Sequence, residues 1–171
     1  MILSREARAL CQLSRAELAL RFHNAAPLLP EAIAGHQYCG VSLGLPRLIE
    51  KLSWKKFSKA FEMDHAGILS GYNIRTEDDA LDLPWRAKTR GGKPWTFGPF
   101  QVVEEQGDLL LDYGKGSAGY SPLRRLRDPL RRIDEEGDLL LGRSLIQLWG
   151  KRRIATPSWF VLQREGRRKG K

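Results

Sequence analysis

The sequence predicts a mainly β fold in which an antiparallel barrel of about eight strands follows an N-terminal helical segment. The first observation is a repeat, since residues 103–111 and 133–141 each join an apolar run, an acidic turn and a second apolar run. Each turn ends in a glycine, Gly107 or Gly137, which tolerates the positive φ that tight turns need, so each repeat is typical of a β-hairpin. The second observation is that about eight strand-like segments lie between residues 38 and 163. Eight antiparallel strands can close into a barrel that is filled or holds one small ligand.

Length and composition narrow the remaining possibilities. The chain has 171 residues, which is enough for one domain with a substantial core. It has no apolar run of about eighteen residues and no apolar stretch of the secretory type near its start, so we expect no membrane span and a cytoplasmic location. Cys11 and Cys39 are too few for a disulfide framework and are expected to be free thiols. The three histidines are scattered, so we expect no bound metal.

Nearly half of the net charge of +9 lies in the last eight residues of the chain. Residues 164–171 carry five basic side chains and one acidic side chain, whereas the basic residues of the body are interleaved with acidic ones. Such a tail is usually solvated, and the body lacks the clustered basic stripe of a nucleic-acid binder. We therefore expect a basic disordered tail at 164–171 and do not expect nucleic acid as a partner. Binding of nucleic acid through this tail is the least favoured hypothesis.

The chain before residue 35 is helical in character. Ser14 and Glu17 have the spacing of a capping box, and the apolar residues of this stretch form a broad face that must pack on something. Residues 1–34 are predicted to be a helical segment packed on a barrel domain of residues 35–163. Pro46 can begin a short helix after the first strand. The strands are predicted near residues 36–44, 54–61, 68–75, 93–103, 108–113, 123–133, 139–149 and 154–163.

Two features interrupt the regular pattern of strands and turns. Residues 76–92 form the longest polar stretch, and Trp85 within it either folds over a pocket as a flap or anchors a passive loop. Pro129 cannot donate a ladder hydrogen bond, so we expect an edge strand or a bulge at that position.

Arg143 is the sharpest candidate for a functional side chain. Strand alternation places it on the same face as Leu139 and Leu141. If that face is internal, the buried guanidinium needs an acidic partner or an anionic ligand, and Asp112 and Asp128 are the candidate partners. If the face is external, Arg143 belongs to the surface or to a structural ion pair. The sequence leaves both alternatives open.

Common catalytic motifs are absent from the sequence. There is no Gly-x-Ser-x-Gly elbow, no phosphate loop and no dinucleotide fingerprint, so the common hydrolase, kinase and dehydrogenase classes are disfavoured and no cofactor is expected. His36 can titrate near neutral pH. If the protein is an enzyme, we expect His36, Asp112 and Arg143 to act as acid, base or anion clamp.

Several segments resemble a family of small bacterial proteins named for a Gly-x-Trp-x-Gly motif, whose C-terminal part is a lipocalin-like domain of unassigned function. The segments that carry the resemblance are Gly35, Tyr38-Cys39-Gly40, Trp54-Lys55-Lys56-Phe57, residues 126–133, Leu141-Gly142 and residues 159–162. The resemblance covers most of the chain after residue 35. It implies a lipocalin-like (calycin-type) barrel and provides no catalytic residues.

The leading hypothesis is the binding of a small hydrophobic molecule, with or without a negative charge, in the lumen of the barrel. It depends on the strand count, the supply of aromatic side chains and an internal arginine. The alternative is an enzyme of the cyclase or isomerase type that acts on an apolar substrate in the same pocket. The predicted ligand-binding residues are Trp54, Tyr72, Trp95, Tyr113, Arg143 and Trp149.

Overall fold

The computed structural model of the protein describes residues 2–44, 55–116, 121–150 and 152–166. The helices are α1 (Arg5–Leu10), α2 (Arg15–Asn24), α3 (Pro30–Ile33) and α4 (Tyr113–Gly116), with a 3-10 helix at Pro122–Arg125. The strands are β1 (Gln37–Leu43), β2 (Lys56–Met63), β3 (Leu69–Arg75), β4 (Thr89–Arg90), β5 (Lys93–Pro94), β6 (Thr96–Glu105), β7 (Asp108–Asp112), β8 (Leu126–Arg132), β9 (Leu139–Gln147) and β10 (Arg153–Arg164).

Eight of these strands form a closed antiparallel barrel in the order β1-β10-β9-β8-β7-β6-β3-β2, while β4 and β5 form a separate hairpin. Each barrel strand pairs with its neighbours along the chain, and β1 closes the sheet by pairing with both β2 and β10. This is the up-and-down topology of lipocalin-like barrels. The predicted fold class is therefore confirmed.

The two sequence repeats, residues 103–111 and 133–141, form connections of different kinds. Between β6 and β7 the turn consists of Gln106 and Gly107 alone, with φ of 54° and 84°, as a tight two-residue turn requires. Between β8 and β9 the connection spans residues 133–138, and the carbonyl of Gly137 accepts a hydrogen bond of 3.0 Å from the Tyr38 hydroxyl. The second repeat is therefore a longer loop that is fixed to the barrel by a side chain of β1.

The N-terminal helices pack against the outer wall of the barrel. The capping box is present, since the Ser14 hydroxyl accepts from the Glu17 backbone N–H and the Glu17 carboxylate accepts from the Ser14 N–H. Helical residues join strand residues in one apolar cluster outside the sheet. Its buried members are Leu3, Ala7, Leu10, Leu18, Val41, Leu139, Leu141, Trp159 and Val161.

Three glycines make room for three phenylalanines inside the barrel. Gly40 lies directly across from Phe57, Gly71 from Phe100, and Gly142 from Phe160. A Cβ atom on the glycine would lie 2.4, 2.7 and 2.1 Å from the nearest ring atom in these three pairs. Each ring therefore occupies the space above a glycine, and the large side chains fit within the narrow lumen.

One half of the lumen is filled by side chains. Tyr38 packs edge-on against Phe61, and Phe61 packs against Phe100, with ring centroids 5.6 Å apart in both pairs. The buried side chain of Ile33, from α3, belongs to the same cluster. Since this end is packed, a ligand has space only towards the other end of the barrel.

Two details differ from the sequence-based predictions, and a third prediction falls on residues that the structure does not describe. Pro129 is not on an edge strand, because β8 lies between β7 and β9; instead, the ladder towards β9 is interrupted between Arg127 and Leu130. Arg164 does not begin a tail, because it is the last residue of β10 and donates to the carbonyl of Ala32. The short helix predicted from Pro46 lies outside the described residues.

In the part of the chain that the structure describes, no helix is long and apolar enough to cross a membrane.

Candidate ligand-binding site

A cavity of about 150 Å³ occupies the part of the lumen that the packed end leaves open. It lies between strands on opposite sides of the barrel and includes the 3-10 helix residue Leu123. Its lining residues are Ser42, Phe57, Lys59, Asn73, Phe97, Tyr113, Leu123, Leu126, Asp128, Ser144, Ser158 and Phe160.

Lys59 is the basic group of this cavity. Alternation along β2 points Phe57, Lys59 and Phe61 into the barrel, and the Lys59 side chain is almost fully buried. Its Nζ atom donates to Asn73 Oδ1 over 2.6 Å and to Tyr113 Oη over 2.7 Å. These two bonds hold the amino group beside the cavity.

Four aromatic rings surround the amino group. The Lys59 Nζ atom lies 5.3, 5.1, 5.3 and 5.2 Å from the ring centroids of Phe57, Phe100, Tyr113 and Phe160, respectively. Aromatic faces within about 6 Å attract a cation. Three of these rings are the phenylalanines that lie over glycines, so the glycine positions help to shape the surroundings of Lys59.

Asp128 is the acidic group of the cavity. It is 3% exposed and lies on β8 where the ladder towards β9 is interrupted beside Pro129. Its carboxyl group is hydrogen-bonded to Ser144. Among the described residues no donor lies within hydrogen-bonding distance of its Oδ1 atom. A buried oxygen without a partner is uncommon in folded proteins and marks a place where a ligand donor would be favoured.

Burial changes the protonation of both charged groups. Burial lowers the pKa of Lys59, and the Asp128 charge opposes this effect. Burial raises the pKa of Asp128, and the Lys59 charge opposes this effect in turn. Both shifts favour the neutral forms, so the lumen can hold either two opposite charges or two neutral groups.

The sheet is irregular around the cavity. The β3 and β6 ladder shifts register near Gly98, whose carbonyl accepts from Asn73 Nδ2 over 3.0 Å. The β9 and β10 ladder shifts between Ala155 and Trp159, next to the lining residue Ser158. Bulges of this kind are frequent at barrel rims and beside binding sites, where they redirect side chains.

The predicted ligand-binding residues are dispersed in the structure. Tyr113 lines the cavity. Tyr72 points outward and donates to Glu62 over 2.9 Å. Trp95 lies under the Arg75 guanidinium, 4.1 Å from ring centroid to Cζ, and is not a lining residue. Trp149 is 79% exposed. Trp54 lies outside the described residues.

The three predicted acid, base or anion-clamp residues are far from one another. Arg143 is on the outer face, where its guanidinium lies 5.0 Å from the Trp159 ring centroid. The alternative that Arg143 faces the lumen is therefore wrong. Asp112 also points outward and pairs with Arg127 at 3.1 Å. His36 precedes β1 at its packed end, six residues before the lining residue Ser42. These three positions do not form one site.

The sequence-based search missed Lys59, Asn73 and Asp128 as one constellation. The same two-residue alternation that brought attention to Arg143 would have placed Lys59 between the apolar Phe57 and Phe61 on β2. That alternation was visible, but which face is internal depends on the closure of the sheet. A buried base with an acidic counterpart was one of the two alternatives for Arg143, with Asp128 as one candidate partner. The structure buries Asp128, but the base that shares its cavity is Lys59 and not Arg143.

Trp85 acts as an anchor of the 76–92 loop. Its Nε1 atom donates to the carbonyl of Phe57 over 3.0 Å. The Lys56 ammonium, on the outer face of β2, lies 4.3 Å from the Trp85 ring and pairs with Asp79. Lys56 also donates to the Ala80 and Leu83 carbonyls. The second buried lysine of the chain therefore has a structural role in holding this loop.

The fold and the site define a lipocalin-like up-and-down barrel with a small, mixed apolar and charged cavity in its lumen. No family model matches the chain, so the resemblance to the Gly-x-Trp-x-Gly proteins stays a prediction. No curated protein matches it either. The similar solved structures include Odorant Binding Protein OBP1, with 12% identity, a TM-score of 0.40, and coverage of 84% of this chain and 77% of that one. A likeness of this size says nothing about what the present chain binds.

Proposed function

We propose that the protein binds a small, mainly apolar molecule in the barrel lumen, with the polar group of the ligand at Lys59 and Asp128. The observation that carries this proposal is a cavity with aromatic walls in which a buried carboxyl oxygen has no donor among the described residues. Apolar walls with a few convergent polar groups are typical of small-molecule sites.

The size of the cavity limits the ligand. A cavity of about 150 Å³ is of the size that holds one benzene molecule. A ligand with a single ring, or an aliphatic chain of similar volume, fits this space. A longer ligand would extend beyond the described lining of the cavity.

The charges of the site favour a ligand without net charge. Lys59 and Asp128 compensate one another both as an ion pair and as two neutral groups, so a neutral ligand leaves the lumen balanced. A carboxylate ligand requires a protonated Asp128 beside a charged Lys59. We therefore rank neutral polar ligands above anions, and the binding of an anion should weaken as the pH rises.

Benzyl alcohol is a suitable first probe, because its ring fits the cavity and its hydroxyl can hydrogen-bond with polar residues of the lining such as Lys59 and Asp128. We expect saturable binding by calorimetry and chemical-shift changes of lumenal residues by NMR. Leu126→Trp fills the cavity from its half-buried wall and should abolish binding. Leu20→Trp, on the exposed face of α2, is the control.

Two results would overturn the proposal. One is undiminished binding of benzyl alcohol to a folded Leu126→Trp variant. The other is the absence of saturable binding of benzyl alcohol, toluene and benzoate, together with native mass spectra that show no co-purifying small molecule.

A further inference from the structure

We propose that Lys59 forms a reversible covalent imine with the carbonyl group of a small apolar aldehyde or ketone held in the lumen. This inference rests on the proposed lumenal site and assigns it a ligand class and a chemical step. It follows from how the amino group of Lys59 is held and from what lies around it.

The two hydrogen bonds of Lys59 are compatible with a neutral amine as well as with an ammonium group. A neutral amino group has two N–H donors and one lone pair. Both donors have acceptors, Asn73 Oδ1 at 2.6 Å and Tyr113 Oη at 2.7 Å. In the neutral form, with both N–H bonds engaged, one position on the nitrogen remains for the lone pair, and Lys59 is one of the residues that line the cavity. Burial lowers the pKa of Lys59 and so increases the fraction of this neutral form.

Asp128 supplies the acid that imine formation needs. Its carboxyl group lines the same cavity, and burial raises its pKa, so the protonated form persists to higher pH than in an exposed aspartate. Its Oδ1 atom is buried and has no donor among the described residues.

The proton balance of the step closes within these two residues and the ligand. The Lys59 nitrogen attacks the carbonyl carbon, a C–N bond forms, and the carbonyl oxygen takes the proton of the Asp128 carboxyl. The nitrogen then returns one proton to Asp128, which transfers it to the hydroxyl group, and this leaves as water while the C=N bond forms. An amine, a carboxylic acid and a carbonyl compound have become an iminium, a carboxylate and water. No oxidant or reductant is consumed.

The lumen is suited to the product of this step. The iminium carries a positive charge at the position of the Lys59 nitrogen, where four aromatic rings lie within 5.3 Å. The Asp128 carboxylate compensates this charge. Lys56 is a contrasting case, because its ammonium is engaged by Asp79, Ala80 and Leu83 on the outer face, away from the cavity.

The test is reductive trapping of the intact protein with benzaldehyde and sodium cyanoborohydride, followed by peptide mapping. We expect benzylation at Lys59 to be about tenfold faster than at the exposed Lys88, and an excess of benzyl alcohol to protect Lys59 alone. Asp128→Asn should slow the trapping by about a hundredfold, the range of general acid catalysis, and should remove the part of the pH profile of trapping that follows the Asp128 carboxyl. This readout separates a proton-transfer role from a merely structural one.

The failure of this inference is distinguishable from the failure of the proposed function. If benzyl alcohol binds but benzaldehyde labels Lys59 no faster than Lys88, the imine proposal is wrong and the binding site stands. If neither molecule binds in the lumen, both are wrong. Because mapping uses the unaltered chain, the result does not depend on the folding of a Lys59 variant.

Discussion

The Lys59 Nζ atom donates to the Tyr113 Oη atom over 2.7 Å in the interior of the barrel, and both residues are at most 3% exposed. They come from β2 and from the start of α4, which are 54 residues apart in the chain. Burial raises the pKa of Tyr113, so its hydroxyl remains a neutral partner for the lysine at every physiological pH. The site is therefore assembled by closure of the barrel around a lysine that has its own hydrogen-bond acceptors.

Lys59 should make the stability of the protein depend on alkaline pH. Its pKa is lowered in the folded state, so between this pKa and the ordinary lysine value of about 10.4 the unfolded chain binds more protons. The free energy of unfolding should thus rise with pH in this window. Lys59→Met should lose this rise, as measured by urea denaturation at successive pH values. The variant Lys93→Met, at an exposed position, controls for the loss of one charge. An equal slope in wild type and Lys59→Met would contradict the assignment.

Asp128 should have the opposite effect at acidic and neutral pH. Its pKa is raised in the folded state, so above about pH 4 the unfolded chain releases a proton that the folded protein retains. The free energy of unfolding of the wild type should then fall as the pH rises through this window. Asp128→Asn should not show that fall, whereas the exposed control Asp82→Asn should keep it. Parallel pH profiles of the free energy of unfolding for wild type and Asp128→Asn would show that folding does not raise the pKa of Asp128.

Gly142 should be intolerant of any side chain. A Cβ atom would lie 2.1 Å from the Phe160 ring, which is itself packed in the core. We expect Gly142→Ala to lower the free energy of unfolding by about 1–3 kcal/mol, as overpacked cores do. Gly166→Ala, with no atom within 4 Å, should be nearly neutral. Combining Gly142→Ala with Phe160→Leu should recover part of the loss, and no recovery would point to a backbone effect instead.

Ligand binding should distinguish the lumen from the outer face. Arg143→Ala should leave the affinity for benzyl alcohol unchanged, because Arg143 packs on Trp159 outside the barrel. Tyr113→Phe removes a hydrogen-bond partner of Lys59 inside the cavity and should weaken binding by about 2- to 10-fold. Calorimetric titration of the two folded variants provides the comparison, and the reverse order of effects would place the ligand outside the barrel.

Several parts of the structure follow from local sequence signals. The Gln106 and Gly107 turn, the capping box of Ser14 and the strand-like run that became β2 are each encoded within a few residues. Local rules therefore predicted the helical start, the approximate number of strands and the barrel. They also predicted that a buried basic group would require an acidic counterpart.

Local sequence signals did not predict which basic residue lies inside the barrel. Arg143 and Lys59 both alternate with apolar neighbours along their strands, and both faces of this sheet are apolar, because α1 and α2 cover part of the outside. Alternation assigns residues to two faces but does not say which face is the lumen. Pro129 is a similar case, because a missing donor predicts an interrupted ladder without saying whether the strand is at an edge.

The sequence by itself determined the class of fold, the hairpins and the helix starts, because these can be predicted from local turn, capping and alternation signals. The tertiary structure decided which side chains face the lumen, since barrel closure brings β2, β3, α4 and β8 together around one cavity. It thereby placed Lys59, Asn73, Tyr113 and Asp128 in contact with the same space and left Arg143 outside. The physical reason is that burial, and the pKa shifts that burial causes, arise only when strands that are distant in the sequence close into one sheet.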